Sequence, residues 1–207
     1  MIQGMWGKKV GMTQLFSEAN KVVPVTAIDV SCWRIVQIKT KSKDAYSAIQ
    51  VGCVRNSYAN SEFSPEWLSD CRKYFSALRE ITLLNDEHDI VVGQKADIAS
   101  IINAGDTVDV CGLTIGRGFQ GAMKRHGFSG GRASHGDRLG RGPGALSFMR
   151  KQGRVPKGKE MPGHMGVERR VIKNLEIVRI DPTASVVFVK GSVPGKTGSL
   201  VFVRKVG

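Results

Sequence analysis

One segment decides what this chain can fold into. Residues 112–170 hold 13 of the 31 Lys and Arg, three of the 18 Asp and Glu, and 15 of the 25 Gly. Its net charge is +10, out of +13 for the 207-residue chain. It is poor in Val, Ile and Leu, so burial cannot offset the entropy lost on ordering it, and like charges oppose its collapse. It reads as a long irregular excursion with no folded state of its own. A stretch of that length inside a compact domain makes sense only if a partner orders it.

The flanks can build a core. Residues 1–111 carry 12 cations against 13 anions, and residues 171–207 carry six against two. Gly4 to Phe16 reads as two short strands around a turn at Lys9–Gly11. Val22 to Val30 is an apolar strand with Pro24 near its start, where a missing N–H is tolerated. Arg34–Lys39, Ala48–Gly52, Leu78–Leu83, Thr107–Cys111, Asn174–Ile180, Val186–Val189 and Leu200–Val203 complete a set of short, largely β-branched strands. Ser64 as N-cap and Pro65 at the first helical position predict one short helix, with Leu68, Cys71 and Phe75 on one face. The fold class expected is mainly β: a small barrel with a short helical insert and a long basic, Gly-rich excursion. Its first part would be 1–111, with the insert at about 52–100. The excursion would be 112–170, and the closing strands 171–207.

Two short motifs suggest enzymes and fail on context. Gly116-Arg-Gly118-Phe-Gln-Gly121 fits G-x-G-x-x-G, but the helix it should open would end at Gly127, before a further glycine pair, so no βαβ unit forms. Gly191–Ser199 resembles a P-loop, yet only three residues separate Gly191 from Gly195, and strands flank it on both sides. It reads as a β-turn. Cys32, Cys53, Cys71 and Cys111 form no C-x-x-C pair, and His88 is not spaced to complete a metal site, so buried reduced thiols are expected. His126, His135 and His164 have only Asp137, Glu160 and Glu168 near them in sequence. They read as base-stacking, phosphate-contacting or plain loop residues. No run approaches the ~18 apolar residues of a spanning helix, and no secretory signal is read at the N-terminus.

What remains is a polyanion. Arginine pairs with phosphate bidentately and stacks on bases. Glycine lets backbone N–H groups approach phosphates closely. Interleaved as in "HGDRLGRGPGALSFMRKQGRVPKGK", the two suit a thin strand threading between RNA helices. Out and back, ~40 such residues could reach roughly 60 Å. Phe119 and Phe128 could stack on bases or anchor the ends of the excursion on the barrel, the second being the plainer expectation. Phe148 and Met149, mid-excursion, are expected to face the partner.

Five stretches carry a resemblance: "GKKVGMTQLF", "GDTVDVCGLTIGRGFQGAMKRHGFSGGRASHG", "KGKEMPGHMG", "NLEIVRID" and "VKGSVPGKTGS". In order and over nearly the whole chain, they resemble the large-subunit ribosomal protein L three family, in its bacterial or organellar form. The resemblance implies a six-stranded barrel and an extension running through large-subunit (23S-type) ribosomal RNA towards the peptidyl-transferase centre. It implies early assembly, contacts with neighbouring ribosomal proteins, a place in a bacterial cytoplasmic or organellar ribosome, and no catalysis. No cofactor, metal, membrane or small-molecule substrate is expected. Arg117, Lys124, Arg125, His126, Arg132, His135 and Arg138 would line one arm, and Arg154, Lys157, Lys159 and His164 the return arm. Lys8, Lys9, Arg141, Arg150, Lys151 and Arg169 complete the expected RNA-contacting set. The tip would run from Pro143 to Lys151, with Pro143, Gly144, Phe148 and Met149 marking it. There the chain departs from the family: Phe148 stands where many bacterial members carry a methylatable glutamine. Residues 52–100 match only loosely. The rival expectation is a free RNA-remodelling or annealing protein using the same basic arm.

Overall fold

The computed structural model describes residues 4–59, 61–83, 90–96, 101–147 and 153–206. In chain order the first unit begins with strands β1 (Gly4–Phe16), β2 (Val22–Asp29) and β3 (Trp33–Lys39). A helical turn α1 (Lys41–Asp44) leads to β4 (Ala48–Val54), two turns α2 (Glu66–Ser69) and α3 (Cys71–Tyr74), β5 (Phe75–Thr82) and β6 (Thr107–Leu113). The intervening segment contributes β7 (Gly118–Gln120), α4 (Ala122–His126) and β8 (Gly163–Met165). Strands β9 (Arg169–Asp181), β10 (Val186–Lys190) and β11 (Leu200–Lys205) return to the first unit. The chain is mainly β. It divides into two compact units, residues 1–113 with 169–207 and residues 114–168.

Six strands of the first unit close on themselves in the order β1-β11-β6-β9-β10-β2, every pairing antiparallel. Closure leaves no unpaired edge to template aggregation. One long strand explains how it closes: β1 pairs with β11 over Gly4–Lys8 and with β2 over Lys8–Phe16, around a register shift between Lys9 and Gly11. The expected turn at Lys9–Gly11 is therefore a bulge. An extra residue bends the strand without ending it, which is how a barrel turns a corner. Pro24 lies one residue beyond the last rung between β2 and β10, where its missing N–H costs that ladder nothing.

Strands β3, β4 and β5 form a separate three-stranded sheet with β4 in the middle. The barrel interior and this sheet share one apolar core, including Met5, Ile28, Val110, Ile177, Val187 and Val203 from the barrel and Trp33, Ile49, Val51 and Ile81 from the sheet. The predicted helix 64–75 is corrected. Asp70 leaves the helical region (φ −119°, ψ 59°) and splits it into α2 and α3, while Phe75 already belongs to β5. The inward residue is Trp67, 4% exposed, not Leu68, 37% exposed. Trp67 stacks on Tyr74 with ring centroids 5.3 Å apart and planes 7° from parallel. Tyr58, Phe63 and Phe75 meet it edge-on. Aromatic packing sets the orientation here, against the helical period.

One polar group is built into the barrel wall. Asp109 on β6, 6% exposed, lies directly opposite Arg204 on β11 and accepts a 2.7 Å bond from its guanidinium. Its other oxygen accepts the backbone N–H of Asn174 at 3.1 Å. Asn174 has φ 57° and sits where β9 bulges against β6 between Val108 and Val110. Asparagine tolerates that left-handed conformation better than most residues. Arg204, and next the Asn174 N–H, hold the Asp109 carboxyl below the usual carboxylate range against the opposing effect of burial.

Candidate nucleic-acid interface

The unit 114–168 is held together by other means. Among its described residues only Ala122 is buried. The composition argument holds in this respect: there is no apolar core. Yet the segment forms a compact unit in the structure. Backbone pairing does the work. Strands β7 and β8 form a two-stranded ribbon with Phe119 opposite His164. The Arg117 N–H donates to the Met165 carbonyl, and the Thr114 N–H to Glu168, at 2.8 and 2.9 Å.

Two side-chain clasps fix the loops. The Arg125 guanidinium donates to the Met161 carbonyl at 2.8 Å, and His126 Nε2 lies 3.1 Å from the same oxygen. Gly163 permits this, since a Cβ there would lie 2.4 Å from Arg125 Nη1. The second clasp is Asp137. Its carboxylate accepts the backbone N–H groups of Arg132 and of Leu139, the latter at 2.8 Å. The Gly131 N–H donates to Gly140 at 2.7 Å and closes the loop. Any Cβ on Gly131 would occupy the Asp137 carboxylate's place. In the sequence Asp137 stands out as an acidic neighbour of the histidines, not as a loop clasp. The habit of aspartate bonding backbone N–H groups near it in sequence was the signal available.

With the loops closed internally, most cations are left over. Arg117, Lys124, Arg132, Arg138, Arg141, Arg154, Lys157 and Lys159 are all exposed, and none has a side-chain hydrogen bond or ion pair among the described residues. Each is available to an external anion. Lys157 and Lys159 also line a cavity of about 460 Å³ with Ala145, Leu146, Ser147, Pro156 and Gly158. His135 is exposed in a left-handed backbone conformation, φ 64°. Phe119 is 67% exposed, edge-on to exposed His164 at 6.1 Å. A ring that exposed is not a buried anchor, which corrects the plainer expectation for it. Phe128 is half-buried beside His126, 6.1 Å between centroids. Pro143 is half-buried and Gly144 is exposed with φ 79°. Phe148, Met149, Arg150 and Lys151 lie outside the described residues.

Three predicted contacts have internal partners in the first unit. Lys9 Nζ donates to the Val193 and Gly195 carbonyls at 2.8 and 2.9 Å, pinning the turn before β11. The Lys8 ammonium lies beside Cys53. Arg169 Nε donates to Cys111 Sγ at 2.9 Å. Among the described residues no group of three or more His, Cys, Asp or Glu could hold a metal, and no helix is long and apolar enough to cross a membrane.

The comparisons with known proteins bear on the whole chain. The family model for Ribosomal protein L3 matches residues 84–186. The large ribosomal subunit protein uL3 of Geotalea daltonii is 41% identical over 207 residues, covering 99% of this chain and 97% of that protein. The chain belongs to the ribosomal protein L3 family. Its similarity extends to the uL3 proteins of Nitrosomonas europaea, 40% identical over 97% of this chain and 95% of theirs, and Pelotomaculum thermopropionicum, 42% identical over 99% and 97%. Full-length coverage at this identity takes in the barrel and the basic unit together. The family carries no catalytic role: of the two failed motifs, Gly116–Gly121 runs through strand β7 and Gly191–Ser199 is the turn between β10 and β11.

Proposed function

We propose that this chain is a structural constituent of a bacterial-type large ribosomal subunit, binding 23S-type ribosomal RNA directly and early in assembly. The observation that carries the reading is the set of eight exposed cations without internal partners on a glycine-rich unit, in a chain that belongs to the ribosomal protein L3 family. Arg117, Lys124, Arg132, Arg138, Arg141, Arg154, Lys157 and Lys159 take phosphates, releasing counterions from the RNA. Exposed Phe119 and His164 offer ring faces and edges to unstacked bases. Arg125, His126 and Asp137 act differently, by fixing the loop shape that presents these cations. In the subunit, residues 143–151 form the end of the segment directed towards the peptidyl-transferase centre. Neighbouring ribosomal proteins are the remaining partners.

The test is sucrose-gradient sedimentation of the tagged full chain in cell extract. Migration with the large subunit and its precursors, retained at salt that strips loosely bound proteins, is the expected result. Migration with heterogeneous free RNA, lost at modest salt, would instead favour an RNA-annealing protein.

A further inference from the structure

The structure brings together two of the four cysteines that the sequence leaves unpaired. Cys32 lies in the connection between β2 and β3, and Cys53 lies on β4. The Val54 N–H donates to the Cys32 carbonyl at 2.8 Å, and Trp33 pairs with Cys53 across the ladder, so backbone bonding fixes the chain on both sides of the pair. Their sulfurs are 2.8 Å apart. A disulfide bond is about 2.05 Å long, so the two atoms need to close by only ~0.8 Å. Cys53 is fully buried and Cys32 is half-buried, so Cys32 is the residue of the pair nearer solvent.

The surroundings give the two thiols different parts. The hydrogen bond between the two sulfurs raises the Cys32 thiol's pKa, and burial adds to that. The same bond favours the Cys53 thiolate and lowers its pKa, helped by the Ser76 hydroxyl and by the Lys8 ammonium alongside. Cys71 and Cys111 are engaged elsewhere: Cys71 Sγ donates to the Leu68 carbonyl at 3.3 Å, and Cys111 Sγ accepts from Arg169.

We propose that Cys32 and Cys53 form an intramolecular disulfide when the protein meets a low-molecular-weight disulfide. The bond is a redox-closed staple between the connection leaving the barrel and the central strand of the β3-β4-β5 sheet. The Cys32 sulfur, on losing its proton, attacks one sulfur of the reagent. The reagent's S–S bond breaks, and its first half leaves as a thiolate that takes up that proton. The Cys53 thiolate then attacks Cys32 Sγ in the mixed disulfide and expels the second half, which takes up the Cys53 proton. Two protein thiols are oxidised and one external disulfide is reduced to two thiols. The product constrains the loop 32–53 in the unfolded chain and so raises the stability of the fold.

The experiment treats the full chain with oxidised glutathione and follows it by intact mass and by non-reducing peptide mapping. A Cys71→Ser/Cys111→Ser variant retains only the proposed pair, and Cys53→Ser removes the resolving sulfur. The expected result is that wild type and the double variant lose two hydrogen masses and retain no glutathione. The joined peptides should contain Cys32 and Cys53, with a Tm above that of the reduced form. Cys53→Ser should instead stop at a stable glutathione adduct on Cys32. Should Cys53→Ser fail to fold, the double variant carries the test alone. Persistent glutathione on Cys32 in the double variant, or two thiols that stay free, would overturn the proposal.

Discussion

The barrel unit and the unit 114–168 reach order by opposite routes. The barrel buries Val, Ile and Trp and satisfies its backbone by closing a ring of strands. Among its described residues the basic unit buries one alanine, and it relies on backbone pairing, glycines that permit close approach, and two side-chain clasps. The difference teaches where function can sit. Cations in a unit with a core tend to be drawn into service, as Lys9 and Arg204 are. In a unit without one, most cations remain unspent, and their mutual repulsion is relieved when an anion binds.

That contrast can be broken by substitution. The largest effect on stability is expected in the core: Trp33→Ala, at 1% exposure, should cost about 3–5 kcal/mol in urea unfolding. A cost below ~1 kcal/mol would mean that the shared core is not what holds the first unit. Next, replacing Lys124, Arg125 and Arg132 together by Ala should leave the barrel's unfolding transition in place. It should make the slope of log affinity for ribosomal RNA against log salt shallower by about 2, from the loss of Lys124 and Arg132. An unchanged slope would remove Lys124 and Arg132 from the phosphate contacts.

Asp109 sharpens the comparison from the barrel side. Its carboxyl pKa is lowered in the fold, so the stabilisation it gives is present above its unfolded pKa of about 3.9 and is lost as pH falls through the lower folded value. Asp109→Ala, which also strips Asn174 and Arg204 of their acceptor, should cost about 1–3 kcal/mol at neutral pH and flatten the acid limb of the stability profile. An acid limb identical to wild type would contradict that role. The smallest change in stability is expected from Asp137→Ala, about 1 kcal/mol or less. This variant removes a negative charge from a basic surface, so charge alone predicts tighter RNA binding. The loop geometry predicts weaker binding, with Asp137→Asn partly restoring it. Tighter binding by Asp137→Ala would show that the clasp does not present the cations.

How much of this could be read beforehand follows the same division. Strands β6, β10 and β11 were legible because alternation and β-branched residues encode a two-residue period directly. The bulge in β1 was not, because Lys9–Gly11 carries the same letters whether the chain turns or merely shifts register. The break at Asp70 escaped because Trp67, Tyr74 and Phe75 pack by ring geometry that helical spacing does not contain. In the basic unit, composition gave the missing core and the exposed charge. It could not give the Arg125 clasp, which joins residues 36 apart and depends on Gly163. The partners of Lys8, Lys9 and Arg169 were equally hidden, since a cation's local sequence does not say what the fold will bring beside it.

The most direct measurement follows from the barrel ladder, in which Leu113 and Arg169 are cross-strand partners. A short Gly/Ser turn can therefore replace residues 114–168 and rejoin β6 to β9. Binding of the full and the shortened chain to large-subunit ribosomal RNA fragments would be compared across a salt series, with circular dichroism to verify the barrel. The full chain should lose about 10³–10⁵-fold in affinity between roughly 50 and 200 mM salt if ~6–10 phosphates are held. The shortened chain should bind far more weakly, with a shallower slope. Equal affinity and equal slope for the two chains would place the RNA-binding surface on the barrel and contradict the account.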